Sequence, residues 1–187
     1  MKYLDSPKQI MLRNAETLVL RRPSKKDARD MLDYLGIVGG ESDNLLFGAE
    51  GLKLTIEQEI EYIGRMNSDE NSLMVLSFVG DTLVSIAQIS ASDKERIAHN
   101  AEVAISVRKS YWRLGIGEAV MRELISYAKH HKNISIVSLG VRAVNHGAKK
   151  LYEKMGFEQV GVHKDFFNVD GKFFDEILMD MHIGSQE

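Results

Sequence analysis

Residues 103–119 of this chain read VAISVRKSYWRLGIGEA, and this stretch decides the fold. Apolar residues alternate with small or polar ones from Val103 to Val107, which is the period of a β-strand. Beyond Gly117 the apolar residues recur at the spacing of one helix face. Gly115 and Gly117 lie between the two patterns. The stretch therefore predicts a strand, a glycine-bearing loop and the start of a helix.

This arrangement is suited to binding phosphate groups. Glycine lets the backbone approach a ligand closely, and the first N–H groups of a helix are free to point at an anion. An ordinary strand-to-helix turn would contain the same two glycines. The dinucleotide-binding fingerprint does not match, because it needs a small residue where Val120 stands, and the Walker A loop needs Lys where Glu118 stands. A phosphate ligand at this loop would therefore belong to another carrier.

The composition is typical of a globular domain and argues against several classes of function. Of the 187 residues, 44% are hydrophobic and 27% are charged, and the net charge of -3 gives no basic excess that would favour nucleic acid. The absence of cysteine excludes disulfides and thiolate metal sites. No apolar run has the length of a membrane span, and the first residues do not resemble a signal peptide. We expect one cytoplasmic domain over residues 1–187, without membrane or nucleic-acid partners.

Four segments have the apolar spacing of helices, and three of them carry capping signals. Ser24 and Thr55 each have a capping-box partner three residues later, so each is predicted to begin a helix. Asn145 is predicted to cap another helix, which ends at Gly156. The remaining helix is the one that follows the glycine loop, over residues 117–130.

Seven segments have the pattern of strands, and they are residues 17–22, 72–79, 82–90, 99–108, 134–141, 157–167 and 172–181. The strands 99–108 and 134–141 flank a helix and are therefore predicted to be parallel, whereas the other connections favour antiparallel pairing. The glycine-rich segment 36–51 is predicted to be a loop, and residues 1–16 are expected to be peripheral. The sequence predicts an α/β fold with a mixed, mostly antiparallel central sheet, one parallel βαβ crossover and helices on both faces.

Two motifs resemble those of the GNAT acyltransferase superfamily, the acetyl-CoA-dependent N-acetyltransferases. Residues 102–119 resemble its acyl-CoA pyrophosphate loop, written Gln/Arg-x-x-Gly-x-Gly/Ala, although Trp112 stands at the Gln/Arg position and Arg113 follows it. Residues 145–157, which read NHGAKKLYEKMGF, are similar to the family segment Asn-x-x-Ala-x-x-Leu-Tyr-x-x-x-Gly-Phe. The element order extends this likeness across residues 17–182 and implies the GNAT fold.

The resemblance implies an acetyl-CoA site made largely of backbone groups. The pyrophosphate would be held by the backbone N–H groups of Arg113, Leu114, Gly115, Ile116, Gly117 and Glu118. The pantetheine arm would pair, like an added strand, with the backbone of Ile105, Ser106 and Val107, where this strand separates from its parallel neighbour. Asn145 would cap its helix and also reach the pantetheine arm.

The resemblance also assigns the chemistry to two side chains. Tyr152 would donate a proton to the departing CoA thiolate, because a phenol with a pKa near 10 is protonated at neutral pH. Glu102 would remove a proton from the substrate ammonium, directly or through water. Each also has a plain structural explanation, since Tyr152 lies on an apolar helix face and Glu102 lies near a strand end. No activated nucleophile is recognisable, so we expect the amine to attack the thioester directly.

Other titratable residues are weaker candidates. Asp175 and Glu176 are adjacent on a predicted strand, so they point to opposite faces and only one of them can line an amine site. His130 and His131 are adjacent on a helix, and the chain has no His-Glu-x-x-His spacing. We therefore expect no metal.

The sequence favours an acetyl-CoA-dependent N-acetyltransferase that acts on the primary amine of a small molecule or peptide. Polyamines, aminoglycoside-like compounds and protein N-termini all stay open as acceptors. Two other functions also stay open: a non-catalytic acyl-CoA-binding sensor or regulatory module, and a phosphate-binding α/β protein of another kind. A homodimer is common in the family that the chain resembles.

Overall fold

The computed structural model describes residues 3–184, which form eight strands and four helices. The strands are β1 (Lys8–Met11), β2 (Thr17–Arg21), β3 (Ser72–Val79), β4 (Thr82–Ala91), β5 (Asn100–Val107), β6 (Ile136–Arg142), β7 (Glu158–Val169) and β8 (Lys172–His182). The helices are α1 (Ala28–Glu41), α2 (Ile56–Ser68), α3 (Ile116–His130) and α4 (His146–Met155). Within residues 3–184, no helix has both the length and the apolar character needed to cross a membrane.

All eight strands lie in one sheet, in the order β1-β2-β3-β4-β5-β6-β8-β7. Every neighbouring pair is antiparallel except β5 and β6, which are parallel. Alternate residues of β3 point to opposite faces, so Leu73 and Val75 pack in the core with α3, whereas Met74 and Leu76 pack with α1 and α2. The predicted fold class is therefore confirmed.

The parallel pairing of β5 with β6 is unusually short. It covers three residue pairs and ends where Glu102 lies opposite Ser138. Beyond that point β5 continues to pair with β4 as far as Val107, and β6 continues to pair with β8 as far as Arg142. The two strands therefore diverge inside a sheet that is otherwise continuous, and an open edge of β5 results.

The local signals for helix ends at Thr55, Asn145 and Gly156 are confirmed, whereas Ser24 begins a short 3₁₀ turn (Lys25–Asp27) and α1 starts only at Ala28. The Thr55 hydroxyl oxygen accepts a hydrogen bond from the Gln58 N–H at 3.2 Å, and the Gln58 side chain accepts one from the Thr55 N–H at 2.8 Å. The Asn145 side chain accepts a hydrogen bond from a backbone N–H in the first turn of α4. Gly156 ends α4 in the left-handed region, with φ of 99°.

The prediction of a loop from residue 36 to residue 51 was wrong in its first part, because α1 continues to Glu41. The glycines in this part of α1 serve close packing rather than a turn. A Cβ atom built on Gly39 would lie 1.9 Å from the carbonyl oxygen of Gly48, so the following loop can rest against the helix only if residue 39 has no side chain. Tyr34 and Val38 of the same helix are buried.

The strand β1 was not predicted. It pairs with β2 at the edge of the sheet, and its side chains are mostly exposed, so the sequence of this strand lacks the apolar alternation by which strands are recognised. The turn that follows β1 begins at Leu12, which is buried in the core beside α3. This turn brings the N-terminal segment close to the glycine loop.

Gly39→Ala is expected to lower the free energy of unfolding by about 1–3 kcal/mol, because the added methyl group overlaps the Gly48 carbonyl. Gly64→Ala is the matched control: Gly64 lies inside α2 with no atom within 4 Å of a built Cβ, so alanine is expected to raise stability by about 0.5–1 kcal/mol. Urea unfolding measures both changes. A Gly39→Ala protein as stable as the wild type would contradict the packing described for α1.

Candidate active site

The glycine loop presents a row of backbone donors. Arg113 and Gly115 both adopt left-handed conformations, with φ of 65° and 95°, and Gly115 lies at the N-cap of α3. Within the described residues, none of the backbone N–H groups from 113 to 118 donates a hydrogen bond to another part of the protein. Unpaired donors at the positive end of a helix suit a phosphate group.

Trp112 has a structural role that its position in the motif did not reveal. Its indole N–H donates a hydrogen bond of 2.7 Å to the carbonyl of Val107, the last residue of β5. On the other side of the loop, the Lys109 N–H donates to a carboxylate oxygen of Glu41 at 2.6 Å. These two hydrogen bonds tie the glycine loop to β5 and to the C-terminal end of α1. Glu41 lies in the part of α1 that the sequence did not predict to be helical.

The open edge of β5 exposes the backbone of alternate residues. The Arg108 N–H donates to a carbonyl of β4, and the Ser106 carbonyl accepts a hydrogen bond from the Ser85 hydroxyl, so these residues direct their backbone groups toward β4. Because successive residues of a strand alternate, Ile105 and Val107 direct theirs toward the gap beside β6. A ligand in this gap would meet the N–H groups of Ile105 and Val107 and the carbonyl of Ile105, because the Val107 carbonyl already accepts the Trp112 hydrogen bond. The backbone of Ser106 is engaged on the other side.

The helices α3 and α4 approach each other closely at the gap. A Cβ atom on Gly117 would lie 3.2 Å from a methyl carbon of Leu151, so glycine at this position allows the close contact. The side-chain oxygen of Asn145 accepts a hydrogen bond from the Ala148 N–H at 3.2 Å, which confirms Asn145 as a cap. Its side-chain NH₂ group has no partner among the described residues.

Tyr152 of α4 is buried in the same hydrophobic core as the apolar face of α3. The side chain is 7% exposed, and its ring centroid is 6.0 Å from that of Phe157. Among residues 3–184 its hydroxyl has no hydrogen-bond partner, and burial raises its pKa to about 12. The hydroxyl therefore stays protonated across the neutral range.

Glu102 is exposed and is the last residue of β5 that pairs with β6. The register with Ser90 and Ser138 places it on the face of the sheet that α1 and α2 cover elsewhere. It therefore lies at the point where the strands diverge, on the face opposite α3 and α4.

Glu176 of β8 lies on the same face and beside the same gap. A Cβ atom on Gly140 would lie 2.1 Å from a Glu176 carboxylate oxygen, so the absence of a side chain at Gly140 makes room for this carboxylate. Burial raises the pKa of Glu176 and the charge of Glu102 raises it further, while His163, whose Nδ1 atom is 3.9 Å away, opposes the rise. The charge of Glu102 thus acts on Glu176 across the place where β5 and β6 separate.

The predicted alternation of Asp175 and Glu176 is confirmed. Asp175 points away from Glu176 and accepts hydrogen bonds of 3.0 Å from the Lys164 ammonium and from the Asp165 N–H. The hydrogen bond from the Asp165 N–H, and then that from the Lys164 ammonium, lower the pKa of Asp175. Asp175 therefore joins β8 to β7, and of the two carboxylates only Glu176 lies beside the gap.

Arg142 is the last residue of β6, beyond the point where β6 separates from β5, and the sequence analysis did not identify it. Its guanidinium lies 3.8 Å from the ring centroid of Phe174 and donates a hydrogen bond of 3.0 Å to the carbonyl of Asp43. The side chain is 7% exposed. A basic residue at the end of a dense apolar strand was the available signal, but its partners are distant in sequence.

His130 and His131 lie at the C-terminal end of α3, at the opposite end of this helix from the glycine loop. His130 Nδ1 is 2.7 Å from the carbonyl oxygen of Ser126, and the His131 ring packs near the Tyr127 ring at 5.8 Å. In the described part of the chain, no group of three or more His, Asp or Glu side chains could hold a metal ion.

The family model of the acetyltransferase (GNAT) family matches residues 44–157, which is more than half of the chain. This chain belongs to the GNAT family. The resemblance drawn from the two motifs is therefore confirmed.

Individual relatives agree with this membership. The chain is 34% identical over 92 residues to the N-alpha-acetyltransferase RimI of Mycobacterium tuberculosis and 29% identical over 106 residues to the L-amino acid N-acetyltransferase AaaT of Escherichia coli. These matches cover 49% and 57% of this chain, and they span 56% and 65% of the two relatives. A solved GNAT-family acetyltransferase from Streptococcus pneumoniae superimposes with a TM-score of 0.85 at 29% identity, covering 89% of this chain and 99% of that one.

Proposed function

We propose that this protein is an N-acetyltransferase that moves the acetyl group of acetyl-CoA to a primary amine by direct attack. The observation that carries the proposal is the divergence of β5 from β6 after Glu102, beside the row of unpaired N–H groups from 113 to 118. Membership of the GNAT family supports the same reaction class. When bound, acetyl-CoA supplies the acetyl thioester.

The residues around the gap fit acetyl-CoA. The backbone N–H groups of residues 113–118 would hold the pyrophosphate. The N–H groups of Ile105 and Val107 and the carbonyl of Ile105 would pair with the pantetheine amides, while the Val107 carbonyl keeps its hydrogen bond from Trp112. The free NH₂ group of Asn145 would donate to a pantetheine carbonyl while its oxygen keeps the cap. An NMR signal of this side-chain amide that did not move on addition of acetyl-CoA would remove Asn145 from the site.

Tyr152 would assist the departure of the sulfur. A thiol has a pKa near 8.5, whereas burial raises the pKa of Tyr152 to about 12, so the thiolate is a weaker base than the tyrosinate and does not keep the Tyr152 proton. We therefore assign to the hydroxyl a hydrogen bond to the sulfur that strengthens as negative charge develops, while the proton that completes the CoA thiol comes from the proton that the amine releases.

Glu102 would act on the other side of the reacting carbonyl. An amine cannot attack while it is protonated, and the exposed carboxylate at the strand divergence is positioned to accept its proton, directly or through water. In the whole reaction, an ammonium and acetyl-CoA give an amide, CoA thiol and one proton. Glu176, on the same face, would add negative charge that favours a cationic acceptor.

The names of two relatives favour one class of amine acceptor. RimI of Mycobacterium tuberculosis is named an N-alpha-acetyltransferase, and AaaT of Escherichia coli is named for L-amino acids, which all carry an α-amino group. We infer that the acceptor of this protein is the α-amino group of a peptide or amino acid. Arg142 and Asp43 hold the loop after α1 against the gap, where it would contact the rest of such an acceptor.

The test is amine-dependent release of CoA thiol from acetyl-CoA, followed with a thiol reagent. The protein has no cysteine, so it contributes no background. The panel contains peptides with different N-terminal residues, free L-amino acids, polyamines and aminoglycosides. Release with peptides or amino acids supports the proposal, and release only with polyamines or aminoglycosides would overturn the α-amino assignment. Binding of acetyl-CoA without release for any amine would favour a non-catalytic acyl-CoA-binding module.

The two side-chain roles predict different pH dependence. Glu102→Gln is expected to lower kcat about 100-fold at pH 7, and the loss shrinks toward pH 9 because an α-amine with a pKa near 8 then loses its proton without help. Tyr152→Phe is expected to lower kcat by a similar factor at both pH values, because the Tyr152 hydroxyl does not titrate in this range. The KM for acetyl-CoA should change little in either variant.

Two variants control for unspecific effects. Glu153→Gln removes a half-exposed carboxylate beside Tyr152, and Tyr127→Phe removes a buried hydroxyl that donates to the Glu70 carbonyl at 2.7 Å. Neither should change kcat more than twofold. A loss in Glu102→Gln that is the same at pH 7 and pH 9 would refute its role as base, and full activity of Tyr152→Phe would refute its role at the sulfur.

A further inference from the structure

Arg142 carries a positive charge that is almost completely buried. Its side chain is 7% exposed, and its guanidinium lies over the Phe174 ring. Its Nη1 atom donates to the Asp43 carbonyl at 3.0 Å, whereas the buried Nε atom has no hydrogen-bond partner among the described residues. The one carboxylate that residues 3–184 bring within 4 Å of this guanidinium is that of Asp43, which is 3.9 Å away and 68% exposed. A buried charge with so weak a set of partners favours an anionic ligand.

Arg21 of β2 shows a complete set of partners for an arginine of the same kind. Its guanidinium also lies over a phenylalanine ring, 4.4 Å from the centroid of Phe78. Two of its nitrogen atoms donate to the two carboxylate oxygens of Asp27, at 2.6 and 2.8 Å. The Arg21 side chain is 31% exposed. The more buried of the two arginines, Arg142, therefore has the weaker partners.

An acidic residue is the direct neighbour of Arg142 on the sheet. Glu176 lies opposite Arg142 in the register of β8 with β6, so the two side chains project from the same face. Within the described chain, however, no ion pair of 4 Å or less joins them. The Glu176 carboxylate lies over Gly140, whereas the guanidinium turns toward Phe174 and Asp43. The sheet thus holds an acid and a base side by side without contact.

The spacing of this acid and base suits a zwitterion. Gly140 and Arg142 are successive residues of β6 on one face, about 7 Å apart. In an α-amino acid the amine nitrogen lies about 3 Å from the carboxylate oxygens, and a charge-assisted hydrogen bond adds about 2.8 Å at each end. One amino acid can therefore bridge a carboxylate and a guanidinium that are about 6–8 Å apart.

We propose that the acceptor is a free α-amino acid, with Arg142 binding its α-carboxylate and Glu176 binding its α-ammonium. The inference deepens the proposed function and rests on it. The Nε and Nη2 atoms of Arg142 form the fork that suits a carboxylate, while Nη1 keeps its bond to the Asp43 carbonyl. A peptide N-terminus would place a neutral amide group beside Arg142 instead.

The position of Glu102 agrees with this assignment. Glu102 lies opposite Ser138, which is the residue before Gly140 on the same face of β6, so it is next to the carboxylate of Glu176. Burial raises the pKa of Glu176, and the charge of Glu102 raises it further. A cation between the two carboxylates offsets their repulsion. An ammonium held by Glu176 would therefore lie beside the proposed base.

The experiment compares free amino acids with their α-amides, which keep the α-amine and replace the carboxylate by a neutral group. Thiol release gives kcat/KM at saturating acetyl-CoA for the standard amino acids other than cysteine, whose thiol would react with the reagent. For the best amino acid, kcat/KM is expected to be about 10- to 100-fold above that of its amide and of a dipeptide that begins with it. The amine of the amide is the weaker base and loses its proton more readily, so a preference for the acid reports binding of the carboxylate.

Substitutions at the two charged residues separate the two ends of the acceptor. Arg142→Met is expected to lower kcat/KM for the amino acid about 10- to 100-fold, mainly through KM, and to leave the amide within about threefold. Arg142→Lys keeps the charge without the fork, so it should lower the preference about three- to tenfold and retain the rest. Glu176→Gln should raise KM about tenfold for acid and amide alike, because both carry the ammonium.

Arg21→Met is the matched control, because it also removes a guanidinium from a phenylalanine ring, but one that already has its carboxylate. It should leave the preference for the acid unchanged, and thermal unfolding shows whether each variant is folded. If Arg142→Met does not fold, the reduced preference of Arg142→Lys decides.

Equal kcat/KM of the wild type for acid and amide would overturn the inference, as would a dipeptide that is acetylated faster than either. An unchanged preference in the Arg142 variants would also overturn it. Each of these results leaves the proposed function standing. If no α-amine releases CoA thiol, the proposed function fails together with the inference.

Discussion

The feature on which the rest of the structure depends is the short parallel contact between β5 and β6. Three residue pairs join the two strands, and the contact ends at Glu102. Each strand keeps its other neighbour, so the sheet remains continuous while the backbone of Ile105 and Val107 faces a gap. Backbone groups that lack a strand partner need another hydrogen-bonding partner, and a ligand with amide groups can supply it.

The surrounding elements hold this gap in shape. At one end, the indole of Trp112 closes on the last carbonyl of β5, and Glu41 holds the loop from the side of α1. At the other end, Arg142 ties the loop after α1 to the diverging strand. The end of α1 and the residues just after it therefore contact both the glycine loop and the strand β6.

Local patterns in the sequence were sufficient to predict most of the fold and to suggest part of the candidate site. Capping boxes, strand alternation and the two glycines act over a few residues, so they can be read directly, and the resemblance supplied Tyr152 and Glu102. The contact of Glu176 with Gly140, and the hydrogen bonds from Arg13 to the carbonyls of Arg113 and Leu114 in the glycine loop, join residues far apart in the chain. No local pattern encodes such contacts, because they depend on the register of the sheet. Gly39 of α1 was wrongly predicted to lie in a loop for the same reason, because its close contact with Gly48 exists only in the folded chain.

The most direct test of the central claim is amide hydrogen exchange, measured residue by residue by NMR, with and without acetyl-CoA. If acetyl-CoA occupies the gap and its pyrophosphate rests on the glycine loop, exchange should slow at Ile105 and Val107 and at residues 113–118, while amides of β2 and β3 stay unchanged. Binding of acetyl-CoA that left the exchange of Ile105, Val107 and the loop unaltered would contradict the account.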